Sequence, residues 1–533
     1  MAAKAEDIAQ KFKDFKTARL PFDNLRQEIR NFLLPDKTDF NRVYGIGEKR
    51  RQNIFDGTGE HAIEIFAAGV VGIVANRATK WMRFKTEDDD LNKQPDVAEW
   101  LEKYSDLVLA LLNQRTSKFY DRLYAAIVDI AGFGDGAMGL FRGTTSLYSF
   151  REVPVAGLYY SEDAEGNVDT VYLARNPTVL QLKQLQKEQN WVIPKTAAGK
   201  KDSDTLEVVH AIYPRQERIG AFGPESKAYA SCYVLANEPQ ILKEEGYDQH
   251  PVPVGRWRTS GGEVYGRGLG EKALADVKTL QTMDMHHMMR MELLNFPPYQ
   301  VPNKGVYGNI DLSAAAINYV DMNNGQRMEP LNSGGQAFPI TVEYQRERRE
   351  MIRNAFYVNI FQTAETDPNM TATEVQVRQF EKLRQSGVNI ERIVNELVGP
   401  ILDRAGAMVL RANLNGIMNN IPKALSGRTL KISYESILTR AQKLEEIQAI
   451  DSTVAWAANA AQVYPDVVDN YDFDKLAIER HEILGVPASG LRTPEERDAI
   501  REAKQQRAAE QEAMAMAQAG AKAAKDAAGA GIA

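Results

Sequence analysis

Apolar positions first fall into helical spacing at Leu25, Ile29, Phe32 and Leu33, and the run stops at Pro35, which cannot continue a helix. This predicts an amphipathic helix over 21–34. A second helix starts near Asp56 or Thr58, either of which can cap it, and reaches about Trp81. It contains the most apolar run, Ile63 to Ala75, which is shorter than the roughly 20 residues of a bilayer span and carries Glu64, Gly69 and Gly72. It therefore reads as a buried helix. The acidic run Glu87-Asp88-Asp89-Asp90 reads as a solvated turn, and a third helix is expected from about Pro95 to Leu112.

From Leu140 to Tyr172 the period shortens to strand-like alternation, with Ser161 to Asn167 as a hairpin loop. A helix over Thr178 to Gln189 interrupts it. Strand-like material resumes from Leu206 to Val254, where Pro214, Pro224, Pro239, Pro251 and Pro253 confine strands to short or edge positions. A long helix then reads from Glu271 to about Leu294, with Ala273, Val277, Leu280, Met288, Met291 and Leu294 along one side. Its methionines suit either plain core packing or a face that re-packs against a moving neighbour. After a loop rich in Asn, Gly and Pro, a helix of mixed charge spans about Ile340 to Phe361; Arg346, Arg348, Arg349 and Arg353 on it suit packing beside copies of itself. Thr371-Ala372-Thr373-Glu374 is a capping-box pattern, and Gly399-Pro400 predicts a kink. Beyond about Leu491 the chain is rich in Ala, Gln and Glu, good for helix but with little to bury. The fold class is a helix-rich α+β protein.

At 533 residues the chain exceeds what one core supports. A content of 44% hydrophobic and 26% charged residues is that of a globular protein. The formal net charge of −7 supplies no global basic excess for gripping phosphates. Cys232 is the only cysteine, which excludes an intramolecular disulfide or thiolate cluster and reads as an inert, half-buried core residue. Met1 to Lys16 has no apolar core of the signal-peptide kind, so a cytoplasmic site of synthesis is expected.

Chemistry finds little footing. Six histidines, at 61, 210, 250, 286, 287 and 481, include no i, i+4 pair for a metal. The glycine clusters Gly132-Phe133-Gly134-Asp135-Gly136 and Gly266-Arg267-Gly268-Leu269-Gly270 fit neither the phosphate-loop nor the dinucleotide pattern. No nucleophile elbow occurs. No catalytic, metal or cofactor residue is nominated.

An ordered set of short segments carries a resemblance instead. It comprises Leu25 to Pro35, Phe55-Asp56-Gly57-Thr58, Ala67 to Val70, Lys80 to Phe84, Arg256-Trp257, Tyr265 to Gly268, Met370 to Val375, Gly399 to Leu402 and Ile483 to Pro487. Together they resemble the head-to-tail connector family of podovirus portal proteins, over about 20–500. The resemblance implies a ring of about twelve subunits closed by heterologous contacts. It implies a wing from 1–176 with 296–330, stem helices from 177–190 and 268–295, and a clip from 191–267. Val277, Leu280, Met288 and Met291 would belong to the second stem helix. Residues 331–339 would hold a tunnel loop facing DNA, Asn332, Ser333, Gly334, Gly335 and Gln336, with its following helix to about 370. A crown over 371–490 and an Ala-rich tail over 491–533, as a barrel helix or disordered, complete the map.

The implied partners are copies of the chain, double-stranded DNA in the channel, the terminase large subunit, a tail adaptor protein, and the major capsid and scaffolding proteins, with no membrane. The implied place is the portal vertex of the virion, after assembly in the host cytoplasm. The chain would be no enzyme. Two rival readings are another tail adaptor ring component and a nucleotide-driven DNA translocase.

Overall fold

The computed structural model describes residues 2–41, 47–92, 94–143, 146–220, 223–302, 311, 313–320, 329–330, 338–362, 389–425, 428, 430–434, 437–484, 492 and 494–530. In chain order these form α1 (Ala2–Leu33), α2 (Thr58–Val74), β1 (Met82–Thr86), α3 (Asp89–Asn92), α4 (Pro95–Asn113) and α5 (Phe119–Phe133). Strands β2 (Asp135–Arg142), β3 (Tyr148–Val153), β4 (Leu158–Glu162) and β5 (Val168–Arg175) precede α6 (Val179–Gln189). Then come β6 (Val208–Pro214), β7 (Tyr229–Leu235), β8 (Ile241–Tyr247), β9 (Val254–Arg256) and α7 (Leu269–Asn295). Three short strands, β10 (Tyr299–Pro302), β11 (Ile317–Val320) and β12 (Glu329–Pro330), lead to α8 (Phe338–Ala355) and α9 (Val358–Phe361). A π-helical turn Val394–Val398 opens the helix Gly399–Ala412; β13 (Leu430–Tyr434) and helices Ile437–Ala460, Phe473–Leu484 and Pro494–Ala530 follow. The class is α+β with helix in excess.

The chain divides into two compact units. The first, Met1–Trp81, Leu107–Asn415 and Ser436–Leu438, is built on an antiparallel sheet of order β4-β5-β6-β7-β8. Alternation along its strands sends neighbours to opposite faces. Tyr160, Val171, Leu173 and Ile212 pack on one side with Phe141, Val153 and Val254 of the β3-β2-β9 sheet. Tyr159, Tyr172, Val209, Cys232 and Val234 pack on the other under Ala5, Ile8 and Phe12 of α1. Both faces are covered, so Cys232 is fully buried and not half-buried as expected.

Helix α1 is longer than the predicted 21–34 and passes through Pro21. A proline inside a helix costs about 3 kcal/mol, and tertiary contacts on both sides offset it. Before it, Phe12 meets Tyr159 edge to face at 5.1 Å. At the proline's own turn, Arg19 donates to the carbonyls of Val155 at 3.1 Å and Ala156 at 2.7 Å. The β4–β5 hairpin turns where expected, with the Asp163 carboxylate accepting from the N–H groups of Glu165 and Asn167, both at 2.8 Å. Helix α6 has a reciprocal capping box between Thr178 and Gln181. Its Val179 and Leu182 pack with Trp191, Leu206, Val208 and Leu242. The five-stranded sheet thus joins strands from both sides of residues 177–190.

The second unit comprises Met82–Asp106, Gly416–Glu435 and Thr439–Ala533. In it β1 pairs antiparallel with β13, Met82 opposite Tyr434. Phe84 and Tyr104 lie 4.5 Å apart, and Trp100 donates its Nε1–H to the Ile417 carbonyl at 3.1 Å. The Ala-rich tail is the helix Pro494–Ala530, and Arg501 grips both carboxylate oxygens of Asp474 at 2.7 Å. Met514 and Met516 on it are exposed.

Candidate functional site

Helix α7 changes character halfway. Val277 and Leu280 are each 1% exposed, and Val277 lies against Gly59 of α2. Met288 is 52% and Met291 38% exposed, with Met289, Leu294 and Phe296 exposed beside them. The side predicted to run from Ala273 to Leu294 is core only as far as Gln281. The structure therefore joins Val277 and Leu280 in the core and leaves Met288 and Met291 out of it.

Gln281 marks the change. Its Oε1 accepts from the N–H of Phe55 at 2.6 Å and of Asp56 at 2.9 Å, while its Nε2 donates to the Asp56 carbonyl at 2.7 Å. The Asp56 carboxylate accepts from Thr58 N–H at 2.8 Å, fixing the start of α2, and from Arg349 Nε at 2.8 Å. Arg349 also reaches Asp284 of α7 at 3.1 Å, where Gln345 Nε2 donates at 2.7 Å. One turn of α8 is thus tied to both helices. Burial alone pushes the Asp56 carboxyl up, but the bonds from Arg349 and Thr58 outweigh it and hold the group below its ordinary value. Asp284 goes the other way: burial raises it against the pull of Arg349, and the neighbouring Asp56 charge adds to the rise.

Two of the α8 arginines are engaged within the chain: Arg348 bonds Asp276 at 2.6 Å and Arg349 bonds Asp56 and Asp284. Arg353 pairs with Glu350 on its own helix.

The two glycine clusters pack against each other, backbone to backbone. A Cβ on Gly134, whose φ is +96°, would lie 2.4 Å from the Gly266 carbonyl oxygen; one on Gly268 would lie 2.6 Å from the Gly134 nitrogen. Glycine is required for that approach. Asp135 of the first cluster is fully buried, accepting from Gly266 N–H of the second at 2.6 Å and paired with Arg26. Burial pushes its carboxyl up, opposed by the Arg26 charge. Arg256 bonds Glu162, and its Nε and Nη2 take the two carboxylate oxygens of Glu396 at 3.1 and 2.9 Å. Glu396 stands in the π-helical turn that precedes the predicted Gly399 kink.

Sequence reading missed this buried charge. The signal was available: Arg19, Asp23, Arg26 and Arg30 recur at helical spacing along α1, and all four are buried.

Among the described residues no group of three His, Cys, Asp or Glu side chains is arranged to hold a metal. His210 is buried 2.8 Å from Ser231 Oγ and stacked on Tyr233, and burial holds it well below its ordinary value. Burial also pulls His250 down to about 3. The tunnel-loop residues Asn332, Ser333, Gly334, Gly335 and Gln336, and the Thr371 capping box, lie outside the described residues. No helix among the described residues is long and apolar enough to cross a membrane.

Comparison with known proteins covers nearly the whole chain. Residues 5–491 match the family described as bacteriophage head to tail connecting protein. A probable portal protein of Bordetella phage BPP-1 is 28% identical over 530 residues, covering 95% of this chain and 92% of the relative. The portal protein of Salmonella phage epsilon15 is 26% identical over 538 residues, covering 98% and 94%. A chain from the virion of a native gene transfer agent particle aligns at 11% identity and a TM-score of 0.33, covering 76% of this chain and 86% of that one.

Proposed function

The chain belongs to the bacteriophage head to tail connecting protein family, and on that premise we propose that it is the portal subunit of a short-tailed bacteriophage, at the vertex where head and tail join. The observation that carries this reading is the alignment, at 28% and 26% identity and from end to end, with two phage portal proteins. Connecting head to tail is a structural role, and in this reading the chain is no catalyst.

In this reading copies of the chain close into a ring, about twelve of them, through heterologous contacts. The exposed methionine half of α7 meets the neighbouring subunit, since a contiguous apolar face is costly to leave in water and Met adapts to a partner that shifts. Residues 268–295 serve as a stem helix with 177–190, and 191–267 as the clip toward the packaging motor and then the tail. Residues 1–176 with 296–330 form the wing, and 371–490 the crown. Asn332 to Gln336 line the channel with small polar side chains and glycines. Duplex DNA must slide past them, and each firm phosphate contact would add counterion-release free energy that slows passage. The net charge of −7 fits a guide and not a clamp. ATP hydrolysis belongs to the terminase large subunit. The tail adaptor, capsid and scaffolding proteins are the other partners, met during assembly in the host cytoplasm.

The test is packaging itself. Proheads assembled with the chain, given terminase and ATP, should protect DNA from nuclease, and proheads assembled without it should not. Equal protection with and without the chain would refute the reading.

A further inference from the structure

A solvent-open cleft of about 540 Å³ lies where the start of α5, strand β3 and the end of β5 converge. Its walls carry Lys118, Arg122, Arg151 and Arg175, together with the hydroxyls of Thr116 and Ser149. The only carboxylate in the lining, Glu152, is already engaged, 2.6 Å from Arg122 and 3.7 Å from Lys37. Among the described residues no carboxylate stands at salt-bridge distance from Lys118, Arg151 or Arg175. Lys118, Arg151 and Arg175 are all exposed, so in a chain whose net charge is −7 the cleft gathers three cations open to an anion from solvent.

The walls are also held in place. The Ser117 hydroxyl donates to the Leu112 carbonyl at 2.6 Å and accepts from Phe119 N–H at 3.3 Å, so the turn that carries Lys118 is fixed. Arg151 lies over the Phe141 ring at 4.9 Å, which positions the guanidinium and leaves its N–H donors for another group. Desolvation holds Arg175 below its ordinary value, Tyr233 opposes the shift, and the charge of Arg151 adds a smaller push downward. The positive end of α5 adds to the same field.

We propose that this cleft binds a phosphate group, with Lys118, Arg151 and Arg175 supplying the charge and the Thr116 and Ser149 hydroxyls further donors. Guanidinium groups match the oxygen geometry of phosphate better than any other side chain. The open polar walls give a nucleoside nothing to enclose it, so the recognised chemistry is the phosphate itself, on a nucleic-acid backbone or on a small polyphosphate. The site goes beyond the portal reading and stands on the cleft alone.

The experiment titrates the full chain at low salt with a fluorescent short DNA duplex and, separately, with inorganic pyrophosphate. R151Q/R175Q should weaken binding about tenfold or more and, for the duplex, reduce the slope of log K against log salt by about two. R151K/R175K, which keeps the charge, should retain most of the affinity. K200Q/K201Q, at two exposed lysines outside the cleft, should match the wild type. Should R151Q/R175Q fail to fold by circular dichroism, Lys118→Gln alone reads the same loss at about threefold. Loss of duplex binding supports the site and identifies a nucleic-acid backbone; loss confined to pyrophosphate supports it and identifies a small polyphosphate. Failure of the wild type to bind either ligand, or binding by the cleft variants as tight as by K200Q/K201Q, would overturn the proposal.

Discussion

Gln281 holds Asp56 from both sides, its Oε1 accepting the Asp56 N–H at 2.9 Å and its Nε2 donating to the Asp56 carbonyl at 2.7 Å. One carboxamide thereby splices the middle of α7 to the turn that starts α2. Arg349, bonded to Asp56 and Asp284, adds α8 to the joint. One face of the helix belongs to the core as far as Gln281, and Met288, Met289 and Met291 beyond it are exposed. The joint ties the buried half of α7 to α2 and α8 just ahead of its exposed methionines.

Gln281→Ala should therefore destabilise the chain by about 2 kcal/mol, because the Phe55 and Asp56 donors lose their acceptor in a partly buried site. Urea unfolding measures it. A change below about 0.5 kcal/mol would mean that water replaces the carboxamide without penalty.

Gly134→Ala should abolish soluble expression or lower the melting temperature severely. Its Cβ would strike backbone atoms of Gly266 and Gly268, which cannot swing aside, in a left-handed conformation that already disfavours alanine. Gly57→Ala, with no atom within 4 Å of the added carbon, should be close to neutral. Parallel melts of the two variants decide it. A well-folded Gly134→Ala protein would contradict the close packing of the two clusters.

Asp129 gives a pH dependence with a defined sign. It is buried 2.9 Å from Lys37, and burial pushes its carboxyl from 3.8 up to about 6. Because the folded state holds this proton more tightly than the unfolded chain, the group favours folding below about pH 4, and that contribution is lost as pH rises to about 6. The stability difference between wild type and Asp129→Asn should change between pH 4 and 6 and be level from there to pH 8. Chemical denaturation at several pH values reads this directly. A difference that is level throughout would show that Asp129 titrates normally.

The elements announced by strong local rules were legible in the sequence. The helix expected over Thr178 to Gln189 is α6, the hairpin loop expected over Ser161 to Asn167 is the β4–β5 turn, and the apolar spacing through Val277 and Leu280 found the core of α7. What escaped depended on partners distant in the chain. The first half of α1 was hidden because Ala5, Ile8 and Phe12 form a sparse stripe that becomes convincing only under the sheet that covers it. Arg26 and Asp135 are 109 residues apart, and neither looks buried by itself. Met288 and Met291 share the helical phase of Val277 and Leu280. Periodicity fixes a face but does not say how far along it the covering elements extend. The spacing of the glycine clusters departs from that of a phosphate loop, but their mutual packing needed the fold to be seen.

The most direct test of the account is the state of assembly of the purified full chain, read by sedimentation velocity with electron microscopy of the same sample. The account predicts closed rings with an axial channel for the wild type. It predicts that M288E/M291E, altered only on the exposed half of α7, keeps its circular dichroism and melting temperature but no longer forms rings. A wild-type chain that stays monomeric at micromolar concentration would contradict the central claim.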